Sequence, residues 1–325
     1  MKKRIIFFGA AALAVFTAAP FIGTEPVPIS GIFNGSANET ASFIFWNIRL
    51  PRTCVAFMAG SALALSGMAF QAMFRNPLST PFTLGVSSGA SLGASLYLRL
   101  GLGFSVFGIS GLSVSAFIGS LGAITIVYGL TRLSRGISTA TMLLAGVAVS
   151  FFFSSLILFL QYLSNLVHSL EILRWIMGGL SVSGYPDVLT VFPFVAAGIL
   201  IIATRANELN LLATGDDLAA SRGVNVFRNK QLIFFSTSLL VGGVVSVCGP
   251  IGFVGMMVPH ICRLITGANH RCLIPSCILF GGMFLTLCDV ISRTIIAPVE
   301  LPVGIITALL GGPFFLWLLV KGGLK

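Results

Sequence analysis

Charge is scarce in this chain. Asp, Glu, Lys and Arg make up 9% of its 325 residues, and only nine of these are acids. Soluble domains carry about 25% charged residues, so this chain cannot cover itself for water. The apolar share is 56% and the mean hydropathy is +1.02. Alternation of apolar and polar residues is also missing, which excludes a membrane barrel. There is no Walker A sequence, so the chain cannot hydrolyse ATP by itself. The three histidines are scattered. The six cysteines (Cys54, Cys248, Cys262, Cys272, Cys277 and Cys288) fit no metal-ligand spacing, and most fall within or at the ends of apolar runs, as packing residues do. No paired carboxylates and no nucleophile–base set support a membrane-embedded enzyme. Apolar segments so poor in buried carboxylates also argue against a carrier driven by protons or sodium.

What the chain does have is long apolar runs. Windows of about 20 residues give ten candidate spans, near 4–23, 53–74, 83–98, 107–130, 141–163, 188–203, 231–248, 252–266, 273–292 and 302–320. The expectation is an all-α polytopic membrane protein, a single transmembrane domain over 1–325. The stretch 166–180 carries His168, Glu171 and Arg174 and reads as a short helix on the outer face. With the N-terminus inside, the outer face receives only Arg49, Arg52, Arg99, Arg174 and Arg293 of the 19 basic residues. That bias puts both termini in the cytoplasm. The net charge of +10 therefore reports topology and is no sign of nucleic-acid binding. Lys2, Lys3 and Arg4 followed by an apolar run mimic a signal peptide, but the run is longer than a usual h-region and reads as a retained first span.

One polar island interrupts the apolar runs, RANELNLLATGDDLAASRGVNVFRNK from Arg205 to Lys230. It must sit in water, on the cytoplasmic side. Thr214 with Asp217 three residues on reads as a capping box. Asp216 and Asp217 fall at a helix's positive end, Arg222 near its negative end, and Gly223 is a natural stop. A helix of about eight residues needs something to pack on, so the island reads as a handle for a soluble partner.

Gly60, Ala64, Gly67 and Gln71 recur at helical spacing and form one stripe. Small residues there let a neighbouring helix come close. Gln71 adds a membrane-interior amide that either faces a solute path or finds a partner. Gly85, Ser88, Gly89, Ala90, Gly93 and Ala94 make the next helix thin. Gly249, Pro250, Gly252, Gly255 and Pro259 break the segment after 248, which lipid tolerates only where protein or a wet cavity covers the backbone. Asp289 and Arg293, four apart, share a helix face and can pair.

These segments, in this order, resemble the permease subunits of the FecCD/BtuC family, the type II importers of the ABC class. The resemblance runs from Arg49 onward. It rests on Arg49-Leu50-Pro51-Arg52, Arg75-Asn76-Pro77-Leu78, Leu84-Gly85-Val86-Ser87, the island from Gly215 to Gly223, Gly249-Pro250-Ile251-Gly252, Pro259-His260 with Arg263, Asp289 with Arg293, and Leu301-Pro302-Val303-Gly304. It implies ten helices per subunit in a bacterial cytoplasmic membrane, with a second permease copy or a paralogue across a shared path. An ABC ATPase dimer, which uses ATP and Mg, would grip Thr214, Gly215, Asp216, Asp217, Ala219, Ala220, Arg222 and Gly223; this chain itself would bind no cofactor. An extracytoplasmic substrate-binding protein would dock on Arg49, Arg52 and Arg293. The gate would lie at Asn76, Leu78, Thr139 and Ala140, with Ala140 replacing the family's small polar residue. The first expectation for cargo is an iron-siderophore, with cobalamin and haem as alternatives.

Overall fold

The computed structural model describes residues 2–25, 27–28, 32, 39–133, 139–182 and 184–321. Almost all of the ordered chain is helical. α1 (Lys2–Ala18) is followed by α2 (Glu39–Phe74), a 36-residue helix with a π-helical stretch at Ile44–Arg49. Then come α3 (Val86–Arg99), α4 (Gly111–Leu133), α5 (Thr139–Tyr162), α6 (Leu166–Ile176) and α7 (Tyr185–Thr204). Two short helices, α8 (Ala206–Thr214) and α9 (Asp216–Ser221), precede α10 (Val226–Cys248), α11 (Val254–Thr266), α12 (His270–Thr294) and α13 (Val303–Val320). Between α3 and α4 the chain forms a hairpin, β1 (Ser105–Val106) and β2 (Ile109–Ser110), that the sequence reading did not anticipate. Phe107 and Gly108 both take positive φ, 52° and 80°, as a type I′ turn requires.

Among the described residues, seven helices are long and apolar enough to cross a bilayer: α1, α2, α4, α5, α7, α10 and α12. The other three of the ten expected spans are helices that fall short of that measure. α3 has 14 residues and α11 has 13, which at 1.5 Å each rise about 20 Å against a hydrocarbon core of about 30 Å. α13 has 18 residues, Val303–Val320, and counts as a shorter apolar helix among the described residues. For α3 and α11 the cause is visible at the entry. Before α3 the chain makes a 3₁₀ turn, Pro81–Leu84, closed by a Thr80–Thr83 capping box and by Gly85 at φ +82°. Before α11 it unwinds through Gly249 (φ +64°) and Phe253 (φ +66°). The unwound backbone is covered by protein. The Gly179 amide donates to Cys248 O at 2.8 Å and the Gly304 amide to Gly178 O at 3.1 Å, as a membrane interior demands.

α2 and α10 form the centre. The membrane-length windows of these helices are 83% and 72% buried, against 22% for α1, α5 and α7. The small-residue stripe explains how α2 gathers its neighbours. A Cβ on Gly60 would overlap Gly281 O of α12, one on Gly281 would meet Ala64 at 2.6 Å, and one on Gly67 would overlap Gly255 O of α11. Backbone touches backbone there, the close approach that holds helices together in lipid. α3 meets α4 in the same manner, Gly89 against Gly119 and Gly93 against Ser115. α1 packs on α12 and α2 through Phe8 with Phe280 and Phe16 with Phe57.

This packing predicts a sharp contrast between two identical substitutions. Gly67→Ala, which places a methyl on Gly255 O, destabilises the protein by about 1–3 kcal/mol. Gly122→Ala on α4, where nothing lies within 4 Å, changes stability by less than about 0.5 kcal/mol. Denaturant titration in detergent micelles, followed by tryptophan fluorescence, measures both.

Candidate functional site

The polar island folds as a helical corner. Leu209 and Leu212 are fully buried and lay α8 against α2 and α12. Arg205 pairs with Glu208 at 3.2 Å. Thr214 does not cap the next helix. It is still the last residue of α8, and its Oγ1 donates to Leu211 O at 2.7 Å. Gly215 takes the cap position of α9 with φ +135° and no side-chain hydrogen bond. The expected capping box is absent because the corner is turned by a conformation open to glycine, and Thr214 lies before it. Asp216 and Asp217 occupy the first turn of α9, where the helix dipole favours carboxylates. Asp216 Oδ2 also meets Lys230 Nζ of α10 at 2.5 Å. The stop at Gly223 (φ +83°) is a Schellman closure: the Gly223 amide donates to Ala220 O at 2.9 Å and that of Val224 to Ala219 O at 3.0 Å. Ala219 points inward and is fully buried, while Asp217, Ala220, Arg222 and Gly223 face out. With them stands Leu218, 56% exposed. Residue-type reasoning passed over it, although a lone leucine at the tip of a polar corner is itself a contact signal.

At the other end of α2, three arginines converge. Arg52 Nε donates to Asp289 Oδ1 at 2.8 Å and its Nη1 to Glu300 Oε2 at 2.7 Å. Arg293 Nη2 lies 3.2 Å from Asp289 Oδ2 and donates to Ala19 O at 3.1 Å. Arg49 donates to Glu25 O at 2.6 Å and to Pro20 O and Phe21 O at 3.4 Å. The pairing of Asp289 with Arg293 is as the spacing implied. The side chains are less open than a docking role suggests: Arg49 and Arg293 are 6% and 4% exposed. A guanidinium flanked by apolar helix ends takes the acceptors within reach, here backbone carbonyls and the fully buried Asp289. All three arginines line one opening of about 180 Å³ with Glu25 and Glu300. Arg293 Nε and Nη1 are buried there without partners among the described residues.

Two cavities lie along α5. One, of about 470 Å³, is lined by Thr80, Thr83, Ser150, Ser154, Phe253 and Met256 among others; the second, of about 540 Å³, by Ser87, Ser88, Ser91, Ser154, Gln161 and Leu158. They share Phe82, Ser150 and Ser154, and no charged side chain lines either. Their α5 walls are uncovered: Phe151 is 72% and Leu158 66% exposed. Gln71 and Asn76, expected on a solute path, line neither. Gln71 is 4% exposed and fully engaged. Its Nε2 reaches Gly255 O at 3.2 Å and Met256 O at 3.4 Å, and its Oε1 accepts from Arg263 Nη2 at 2.6 Å. Both residues open on a separate basic cavity. Leu78 is 47% exposed and Ala140 is exposed; Thr139 begins α5, and its side chain lies outside the described residues. Among the described residues no group of three His, Cys, Asp or Glu side chains could hold a metal.

The arginine cluster makes a stability prediction. Asp289→Asn leaves two inward-facing guanidiniums without their shared charge and lowers stability by about 3–5 kcal/mol. Glu300→Gln, at a carboxylate 52% exposed, costs less than about 1 kcal/mol. Thermal unfolding of the detergent-solubilised protein separates the two.

Residues 11–321 match the model of the FecCD transport family. The chain is 40% identical to the ABC transporter permease protein YvrB of Bacillus subtilis, over 92% of this chain and 88% of that one. It is 38% identical to the hemin transport system permease protein HmuU of Yersinia pestis, over 92% and 90%. It is 41% identical to the cobalamin import system permease protein BtuC of Halobacterium salinarum, over 86% and 74%. A solved structure described as an inward-facing metal-chelate type ABC transporter superposes with a TM-score of 0.89 at 30% identity, covering 99% of this chain and 100% of that one. The chain belongs to the FecCD transport family, as a permease of the FecCD/BtuC type.

Proposed function

We propose that this chain is the membrane subunit of an ATP-driven importer for a macrocyclic metal chelate, haem or a cobalamin. The observation that carries this reading is the pair of charge-free cavities along α5. Their serine and threonine hydroxyls, with Phe82, Phe151 and Phe253, offer a large, flat, weakly polar solute many contacts and no strong one. A transport path needs that weakness, because a wall that held its cargo tightly would not release it. The relatives with named cargo point the same way, toward hemin and cobalamin. They move the cargo reading away from an iron-siderophore.

A second copy of the chain, facing the uncovered wall of α5, completes the path in this proposal. Leu78, Thr139 and Ala140 then close its cytoplasmic end, and Asn76 belongs to the turn that carries Leu78. The corner formed by α8 and α9 receives the partner ATPase through Asp217, Leu218, Ala220, Arg222 and Gly223. Thr214, Gly215, Asp216 and Ala219 hold that surface in place. The substrate-binding protein docks over the arginine cluster. Arg52 is the group nearest its carboxylates, and the buried Arg49 and Arg293 brace it from behind; rim contacts of this kind steer docking. The distribution of Lys and Arg supports termini on the cytoplasmic side, and the family likeness supports a bacterial cytoplasmic membrane.

The cargo assignment is tested by uptake into proteoliposomes holding the permease, its ATPase and its binding protein. ATP-dependent uptake of haemin or cyanocobalamin is expected, and uptake of a ferric hydroxamate alone would return the assignment to siderophores. Uptake driven by an ion gradient without ATP would remove the importer reading altogether. For the corner, Leu218→Asp is expected to weaken co-purification of the ATPase about tenfold or more, the loss of one interface anchor, with the melting temperature of the permease unchanged.

A further inference from the structure

A third cavity, of about 550 Å³, lies at the same end of the bundle as the coupling corner and shares no lining residue with the two neutral cavities. It is bounded by the C-terminal end of α2, by α11, by Ala213 at the end of α8 and by the first residue of α12. Its polar lining is Gln71, Arg75, Asn76, His260, Arg263 and His270, without one carboxylate. Neither Arg75 nor Arg263 is paired with an acid among the described residues. Arg263 spends one N–H on Gln71 Oε1. Arg75 is exposed and sits in the left-handed region at φ +51°, a strained backbone for a long side chain. Asn76 uses its Oδ1 to accept from the Leu78 amide, which leaves its NH₂ as a donor.

His270 supplies the discriminating feature. It is 3% exposed, and its Nε2 is buried with no hydrogen-bond partner. Its tautomer is set by the neighbouring network. Asn210 Oδ1 accepts from the His270 backbone amide at 2.9 Å, which identifies that atom as the oxygen; the same oxygen lies 2.7 Å from His270 Nδ1. Asn210 Nδ2 in turn donates to Asn269 Oδ1 at 3.3 Å. Nδ1 therefore carries the proton, and the neutral ring presents a bare lone pair at Nε2. A buried acceptor without a donor costs about 1–3 kcal/mol, so this atom calls for an O–H or N–H from a ligand.

We propose that this cavity binds a protonated phosphate oxyanion. Two guanidiniums and the Asn76 amide donate to its oxygens, and its own O–H donates to His270 Nε2. Arginine suits such a ligand because its planar fork matches two oxygens at once. Orthophosphate always carries at least one O–H near neutral pH. So does a phosphate monoester in its monoanionic form, as on a phosphatidic acid headgroup. Sulfate carries none.

The test is equilibrium dialysis of the purified full-length permease in detergent against radiolabelled orthophosphate near pH 7, with sulfate as competitor. Orthophosphate is expected to bind about tenfold or more tightly than sulfate, the value of one hydrogen bond to a buried group. Arg75→Gln, at an exposed side chain, is expected to weaken orthophosphate about tenfold with the melting temperature unchanged. His270→Phe is expected to abolish the preference for orthophosphate over sulfate while sulfate still binds. A second arm uses nanodiscs of phosphatidylcholine with and without phosphatidic acid. Displacement of orthophosphate by phosphatidic acid makes the natural ligand a lipid headgroup, and its persistence makes the ligand a free anion. Equal binding of orthophosphate and sulfate by the unsubstituted protein, or full orthophosphate affinity in Arg75→Gln, overturns the proposal. So does the absence of binding by either phosphate source.

Discussion

Helix α2 touches α11 and α12 backbone to backbone, and that contact exists only because Gly60, Ala64 and Gly67 carry almost no side chain. Lipid offers no hydrophobic gain for pressing apolar helices together, since the tails are as apolar as the side chains they replace. What remains is dense packing and hydrogen bonding. Both increase steeply as helix axes approach, so a glycine stripe on the most buried helix does more than any number of large residues on the rim. Once α2 is fixed against α11 and α12, the position of the unwound segment before α11 follows, and with it the wall that Phe253 and Met256 give to the first neutral cavity.

The stripe ends in a polar clamp. One turn beyond Gly67, Gln71 reaches the carbonyls of Gly255 and Met256 with its amide and receives Arg263 on its oxygen. Pro259 lies four residues beyond Gly255 in α11 and has no N–H to give its carbonyl, and a membrane interior does not tolerate a carbonyl left unmet. Gln71 thus secures α11 at its first turn and Arg263 at its third. The same physics holds the far end, where Asp289 takes Arg52 and lies beside Arg293. Each end of α2 is therefore tied by one buried polar group serving more than one partner, and the long apolar stretch between is free to be tuned by packing alone.

Much of this was legible in the residues. The stripe was visible as four positions at helical spacing, the island as polar sequence between apolar runs, and the pairing of Asp289 with Arg293 as a four-residue step. The breakdowns were local and have causes. Hydropathy windows registered α3 and α11 as spans because they count apolar residues, and a 3₁₀ turn or an unwound stretch contributes to the count without contributing length. Thr214 read as a cap because its spacing to Asp217 fits a capping box; nothing in that pattern reveals that the preceding residues are already helical and that Gly215 turns the corner. Arg49, Arg52 and Arg293 read as docking groups on the outer face, from the charge count and the family resemblance, and neither reveals how deeply they are buried. Their acceptors are backbone carbonyls of residues 19–25 together with Asp289 and Glu300, and backbone carbonyls leave no mark in sequence.

The corner formed by α8 and α9 is tied firmly to the rest of the bundle. A six-residue helix has no stability of its own, yet α9 is held at both ends, by Asp216 on Lys230 and by the Schellman closure onto Val224. Leu209, Leu212 and Ala219 seat the whole corner on the bundle. α9 packs on α8, and α8 packs on α2 and α12, so the corner connects to the central helix through α8. α5 stands apart from this lever. Its window is only 22% buried, and its exposed residues border the neutral cavities. If the corner takes up the partner ATPase as proposed, a displacement there passes to the core, and the cavities change shape where α5 borders them. Packed cores resist graded deformation and move as bodies, so a yielding element is sought outside the core; of the three least buried spans, α1, α5 and α7, only α5 lines the neutral cavities.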